Sequence, residues 1–238
     1  PKHEPMPLVK FTPSMEVTEV WSKGLSSAEG FLVPAVYDDM VFAAGGKTLT
    51  RLNARTGETE WSVSFNSPIT GGVGSDGYVT AVGLWDGNLE VVDAEGKVSW
   101  EKKLTTELAS PPVVSHGLVI ARTMDTRVSA FEASSGELQW TYQRSQPALT
   151  VRLPTRMLAH DNFLLVGQPN GHIVILDIAS GKPMFEFQVA QAKGVTEVER
   201  LVDVVGAPAF SDNLVCAAAF QGNLCGQHQR TDEMDAKD

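Results

Sequence analysis

The sequence predicts an all-β fold: a β-propeller of four-stranded antiparallel blades, with about four and a half blades present. Three observations carry this reading. Four segments share one ending: "LNARTGETEW" (52–61), "VDAEGKVSW" (92–100), "FEASSGELQW" (131–140) and "LDIASGKPMF" (176–185). In each, a Gly precedes an aromatic by four residues, and the tryptophans recur at intervals of 39 and 40. A second feature keeps the same beat, turn formers ahead of an apolar pair: "YDDMV" (37–41), "SDGYV" (75–79), "SHGLV" (115–119), "HDNFL" (160–164) and "SDNLV" (211–215). A third lies between them, in "LWDGN" (84–88), "QPNGH" (168–172) and "FQGN" (220–223), with "AGGK" (44–47) and "TMDTR" (123–127) as looser versions. Asp-Gly and Asn-Gly between apolar alternations mark hairpins. Each unit therefore reads as four strands joined by three turns. No segment carries the 3.6-residue apolar period of a helical solenoid.

The elements follow in order. Residues 1–15 read as an N-terminal extended segment, and 16–225 as the partial propeller. "EVTEVWSKGL" (16–25) reads as a lone outer strand of the kind that completes the last blade of a closed ring. Blades fall near 31–66, 68–105, 109–145 and 148–190, and an incomplete fifth starts at 206. Gly57, Gly96, Gly136 and Gly181 occupy third turns, where positive φ is expected. Trp61, Trp100 and Trp140 are expected between neighbouring blades as core, each covering about 150–250 Å². After "FQGNLC" the pattern breaks: Asp232 and Ala236 stand where the Gly and the aromatic belong. Residues 226–238 are therefore expected to form an atypical, disordered tail, as after a truncation or reading-frame change near Cys225. The open end would expose strand edges. A chain beginning at Pro1 reads as a processed or trimmed product.

Composition narrows the function. The 238 residues are 42% hydrophobic, which is ample for a core. Lys and Arg total 19 against 29 Asp and Glu, a net charge of −10, which argues against a nucleic-acid partner. No uncharged apolar run reaches the roughly 18–20 residues of a membrane span. Two cysteines, Cys216 and Cys225, exclude a disulfide-dense miniprotein and a Cys₄ zinc site. They are expected on neighbouring strands of the fifth unit as small core residues, with a disulfide as the alternative.

Motifs that resemble chemistry dissolve on inspection. "GVGSDG" (72–77) matches GxGxxG, but a strand follows where a dinucleotide site needs a helix. "GGKT" (45–48) lacks the earlier Gly of a phosphate loop, because position 41 is Val41. His116, His160 and His172 fall in exposed turns, and none has metal-ligand spacing. Asp38 and Asp39 are turn formers. No nucleophile elbow is present. We assign no catalytic, cofactor-binding or metal-binding residue, and no cofactor.

Two blade-to-blade links stand out. "SQPALTVRLPT" (145–155) brackets Leu149, Val151 and Arg152 between Pro147 and Pro154, and "AQAKGVTEVERLVDVVG" (190–206) is much longer than its counterparts. Strands alternate in direction, so all such links lie on one face of the disc. These two flank one blade and together offer aliphatics, an Arg and acids, which suits a protein-binding patch.

The blade endings resemble pyrroloquinoline-quinone-type eight-bladed propellers. Within that group "ALTVRLPT" (148–155), "QAKGVTEVERLVDV" (191–204) and "SPPVVSHGLV" (110–119) resemble the BamB family of lipoproteins, over residues from about 11 to 225. The resemblance implies an eight-bladed ring at the periplasmic face of the outer membrane of a Gram-negative bacterium. The family is tethered there through an N-terminal lipidated Cys that has no counterpart in this chain. It further implies a non-enzymatic scaffold of the β-barrel assembly complex, binding the POTRA domains of BamA and, through them, the other components. Unfolded outer-membrane clients would be possible passengers, by strand addition. Leu149, Val151 and Arg152 match the family's Leu-x-Leu-Arg contact, with Val in place of the second Leu. Asp203 matches the first of two contact aspartates, and Val205 replaces the second. The alternatives are a quinone-dependent dehydrogenase on the same fold, for which no carboxylate–calcium cluster is evident, and a propeller adaptor with another partner.

Overall fold

Each repeat becomes one antiparallel sheet. A computed structural model describes residues 14–26, 32–144, 156–188, 204–211, 214–219 and 222–227. Blade 1 comprises β1 (Ala35–Tyr37), β2 (Met40–Gly45), β3 (Thr48–Asn53) and β4 (Thr59–Ser64). Blade 2 comprises β5 (Ile69–Ser75), β6 (Thr80–Leu84), β7 (Asn88–Val92) and β8 (Val98–Lys103). Blade 3 comprises β9 (Val113–Ser115), β10 (Leu118–Arg122), β11 (Val128–Glu132) and β12 (Leu138–Tyr142). Blade 4 comprises β13 (Leu158–His160), β14 (Phe163–Gln168), β15 (His172–Asp177) and β16 (Pro183–Gln188). A three-stranded sheet follows: β17 (Val204–Ser211), β18 (Leu214–Ala219) and β19 (Gly222–Gln227). Strands in every sheet pair in sequence order, and the first strands of successive sheets touch one another, so they line the axis.

The turns close through side chains that the sequence marks out. Asp76 Oδ1 accepts from the amides of Tyr78 (3.0 Å) and Val79 (2.8 Å), closing the first hairpin of blade 2. Asn53, Asp93 and Asp177 open third turns in the same way, each accepting backbone N–H groups on Oδ1. The glycine that follows has φ of +72° at Gly57, +80° at Gly96, +71° at Gly136 and +68° at Gly181.

The core lies between blades rather than inside one. Phe42, Leu49, Val82 and Leu84 fill the seam of blades 1 and 2, Leu89, Val91, Val119 and Phe131 that of blades 2 and 3, and Ile120, Val128, Leu164 and Val174 that of blades 3 and 4. Both faces of the middle strands are covered, which is why they read as continuous apolar runs.

Each outer-strand Trp docks on the next blade. The Trp61 ring lies against Gly96, that of Trp100 against Gly136 and that of Trp140 against Gly181; a Cβ at any of these glycines would overlap the ring. Each indole N–H reaches a carbonyl of the same turn: Ala94 (2.9 Å), Ala133 (2.8 Å) and Ile178 (3.0 Å). Trp21 makes the identical contact, with Gly57 under its ring and Ala54 O at 2.8 Å. Residues 16–25 thus hold an outer strand's position through Trp21, although they pair with no described strand. Around the axis the approach is closer still. A Cβ on Gly74 would overlap the Pro112 carbonyl oxygen, so Gly72 and Gly74 of "GVGSDG" serve close packing in β5, and Gly77 lies in the turn that follows at φ +89°.

Three expectations need correction. His172 opens β15 and is half-buried, and His160 closes β13, so neither lies in a turn. β19 runs to Gln227, so Gly226 and Gln227 belong to a strand and not to the tail. Its register sets Cys216 directly opposite Cys225, on the neighbouring strands expected of them.

Candidate functional site

Strand alternation sorts the connections. First and third turns emerge on one face of the disc; second turns and blade-to-blade links emerge on the other. Leu149, Val151, Arg152 and Asp203 lie outside the described residues. The structure describes the ends of blades 3 and 4, after which the two links begin in the sequence.

A polar cluster marks that ground. Arg144, the last described residue before the first link, pairs through its guanidinium with Glu186 on β16, two residues before that strand ends. His172 Nδ1 lies 2.8 Å from the same carboxylate oxygen. The outer strand of blade 3 is thereby tied to the two outermost strands of blade 4. The Arg144 hydrogen bond holds the Glu186 carboxyl below the usual range; burial opposes it, and the charges of Arg144 and His172 add to it. Burial pushes the Tyr142 hydroxyl up beside them. Gln168 pairs with His172 in the register, is 2% exposed, and has no hydrogen-bond partner on either amide atom among the described residues.

Chemically, this cluster orients its members and neutralises charge. Among the described residues no three His, Cys, Asp or Glu side chains are grouped to hold a metal ion. Sequence reasoning missed Arg144, Glu186 and His172. Arg144 and Glu186 are 42 residues apart, so no local spacing could pair them. The pair is partly solvated, with side chains 46% and 35% exposed. Glu186→Gln is therefore expected to cost under about 1 kcal/mol in urea unfolding. Because the folded carboxyl is the stronger acid, that contribution is present at neutral pH and fades as pH falls through the carboxylate range.

The family model described as "Outer membrane protein assembly factor BamB" matches residues 45–236. That match runs beyond position 225, where the resemblance was expected to stop. The protein of that name from Burkholderia pseudomallei (strain K96243) is 39% identical over 223 residues, covering 92% of this chain and 58% of the relative. The one from Bordetella pertussis is 34% identical over 225 residues, covering 94% and 58%. The chain thus spans about 58% of the length of these relatives. The crystal structure of BamB from Moraxella catarrhalis superposes with a TM-score of 0.72 at 29% identity, over 80% of this chain and 59% of that one. Quinohemoprotein alcohol dehydrogenase from Comamonas testosteroni gives 0.63 at 18% identity, over 82% and 40%, a likeness of fold alone.

Proposed function

Because this chain belongs to the BamB family of outer membrane protein assembly factors, we propose that it is a non-enzymatic scaffold of the machinery that inserts outer-membrane β-barrels. The observation that carries this reading is 39% identity to a named assembly factor across nearly the whole chain. The partner is the set of POTRA domains of BamA, and the docking face is the one from which the links depart. Leu149 and Val151 supply the apolar contact, and Arg152 and Asp203 supply polar pairing. The Arg144–Glu186 pair braces the strands from which both links leave. The protein works at the periplasmic face of the outer membrane, held by a lipid anchor ahead of the described chain. Unfolded β-rich clients are handled beside that contact, and the other components are reached through BamA.

Calorimetric titration against purified BamA POTRA domains tests this. Arg152→Glu is expected to weaken binding at least ten-fold, the scale of a charged contact at the centre of an interface. Asp203→Ala is expected to weaken it by less. Circular dichroism checks that both variants fold. Undiminished affinity in folded Arg152→Glu protein would overturn the site; no binding by the folded parent chain would overturn the partner.

A further inference from the structure

Four of the five tryptophans are accounted for by blade docking; Trp85 is not. It sits in the turn joining β6 and β7, on the link face, and is 62% exposed. The turn is firmly held. Trp85 N donates to Pro68 O (2.8 Å), Gly87 N to Leu84 O (2.9 Å), and Leu104 N to Gly87 O (3.0 Å). Gly87 takes φ of +83°, which a residue with a Cβ would adopt only under strain.

Beside the indole lies a cleft of about 420 Å³, lined by Trp85, Leu104 and Met124 with Lys103, Thr106 and Glu107. The link Lys103–Glu107 is bonded to the turns on both sides, since Met124 N donates to Glu107 O (3.1 Å) and to Thr106 Oγ1 (3.0 Å). The cleft is therefore preformed. An indole left in water on a rigid frame contributes nothing to the core, and such exposed aromatics are what protein contacts are built on.

The charges select the visitor. Lys103 Nζ donates to the Asp86 carbonyl, and Arg127 lies 3.9 Å from the Asp125 carboxylate. Burial opposes ionisation of Asp125, but hydrogen bonds from Thr123 and Thr105 outweigh it and hold the carboxyl below the usual range. The Asp86 carboxylate accepts from Asn88. The cleft lining thus carries two carboxylates, Asp86 and Glu107, against one cation, Lys103, whose ammonium already donates to the Asp86 carbonyl.

We infer that this cleft docks a segment of a protein partner that inserts an aliphatic or aromatic side chain between Trp85 and Met124 and sets a Lys or Arg against Glu107. The site lies on the link face but is separate from the Arg144 cluster, and it stands whether or not the assembly role does. The full chain, labelled with ¹⁵N, is titrated with two blocked pentapeptides: glycine-phenylalanine-lysine-phenylalanine-glycine, and the same with glutamate for lysine. The Trp85 indole resonance is expected to shift saturably, with the lysine peptide about five-fold tighter. Trp85→Ala is expected to weaken that peptide about ten-fold, read on the Leu104 and Thr106 amides. Glu107→Gln is expected to abolish the preference between peptides while keeping the indole shift. The inference is overturned by a shift that does not saturate, by equal affinity for both peptides, or by undiminished binding in Trp85→Ala.

Discussion

Trp140→Ala is expected to lower the stability of the protein by about 3–5 kcal/mol, read as a reduced urea midpoint. Trp140 is 8% exposed and packs with Val128, Met157 and Leu176 in the seam of blades 3 and 4. Truncation removes the ring that covers Gly181 and leaves the Ile178 carbonyl without its indole donor. Trp140→Phe separates the two losses. It keeps most of the apolar surface and gives up the hydrogen bond, so it should cost about 1–2 kcal/mol. Gly181→Ala attacks the same joint from the other side. Its Cβ would overlap the ring, and its φ of +68° strains any residue with a Cβ. The expectation fails if Trp140→Ala and Trp140→Phe unfold at the same midpoint.

Glu90→Gln is expected to stabilise the protein by on the order of 2 kcal/mol near pH 8 and by little near pH 4. Glu90 is 7% exposed on β7, and its register partner on β8 is Glu101. The same position in blades 1 and 3 is a hydroxyl pair, Thr50 with Ser62 (3.0 Å) and Ser129 with Thr141 (3.4 Å). In blade 2 it is two carboxyls. Burial, then the charge and hydrogen bonding of Glu101, then the charge of Asp86 raise Glu90 from 4.5 to about 7. The folded state therefore holds this proton more tightly than the unfolded chain does. The stability that goes with it is complete below about 4.5 and is lost as pH rises through about 7. Glu101 opens to solvent, which trims the full thermodynamic equivalent of the shift. Urea midpoints of parent and variant across this range check the sign. A difference that stays flat with pH would remove Glu90 as its cause.

How far the sequence carries the fold can be judged at Gly96 and Trp61. The repeat spacing places Gly57 four residues before Trp61 and sets the aromatic between neighbouring blades, without naming what it meets there. In space Trp61 meets Gly96 of the following blade, and Gly57 is covered by Trp21. The repeat was legible because each copy carries the same local instruction. The glycine that each ring meets was not, because it lies in the next blade, about 35 residues on. The candidate site divides in the same way. The two links were visible by length and proline placement, whereas the Arg144–Glu186–His172 cluster joins strands distant in sequence. Trp85 differs again. Its neighbours "LWDGN" mark a turn apart from the blade endings, but its 62% exposure is seen only in the structure.

What the sequence determined by itself is therefore local: strand after strand of alternating or fully apolar residues, Asp and Asn at turn openings, and glycine at positive φ. These follow from backbone sterics and hydrogen bonding within a few residues. The tertiary structure alone decided which blade each Trp locks, which carboxyl is driven up to about 7, and which indole stays in water. Those outcomes depend on desolvation and close packing between sheets, and both arise only when segments about 40 residues apart are stacked face to face.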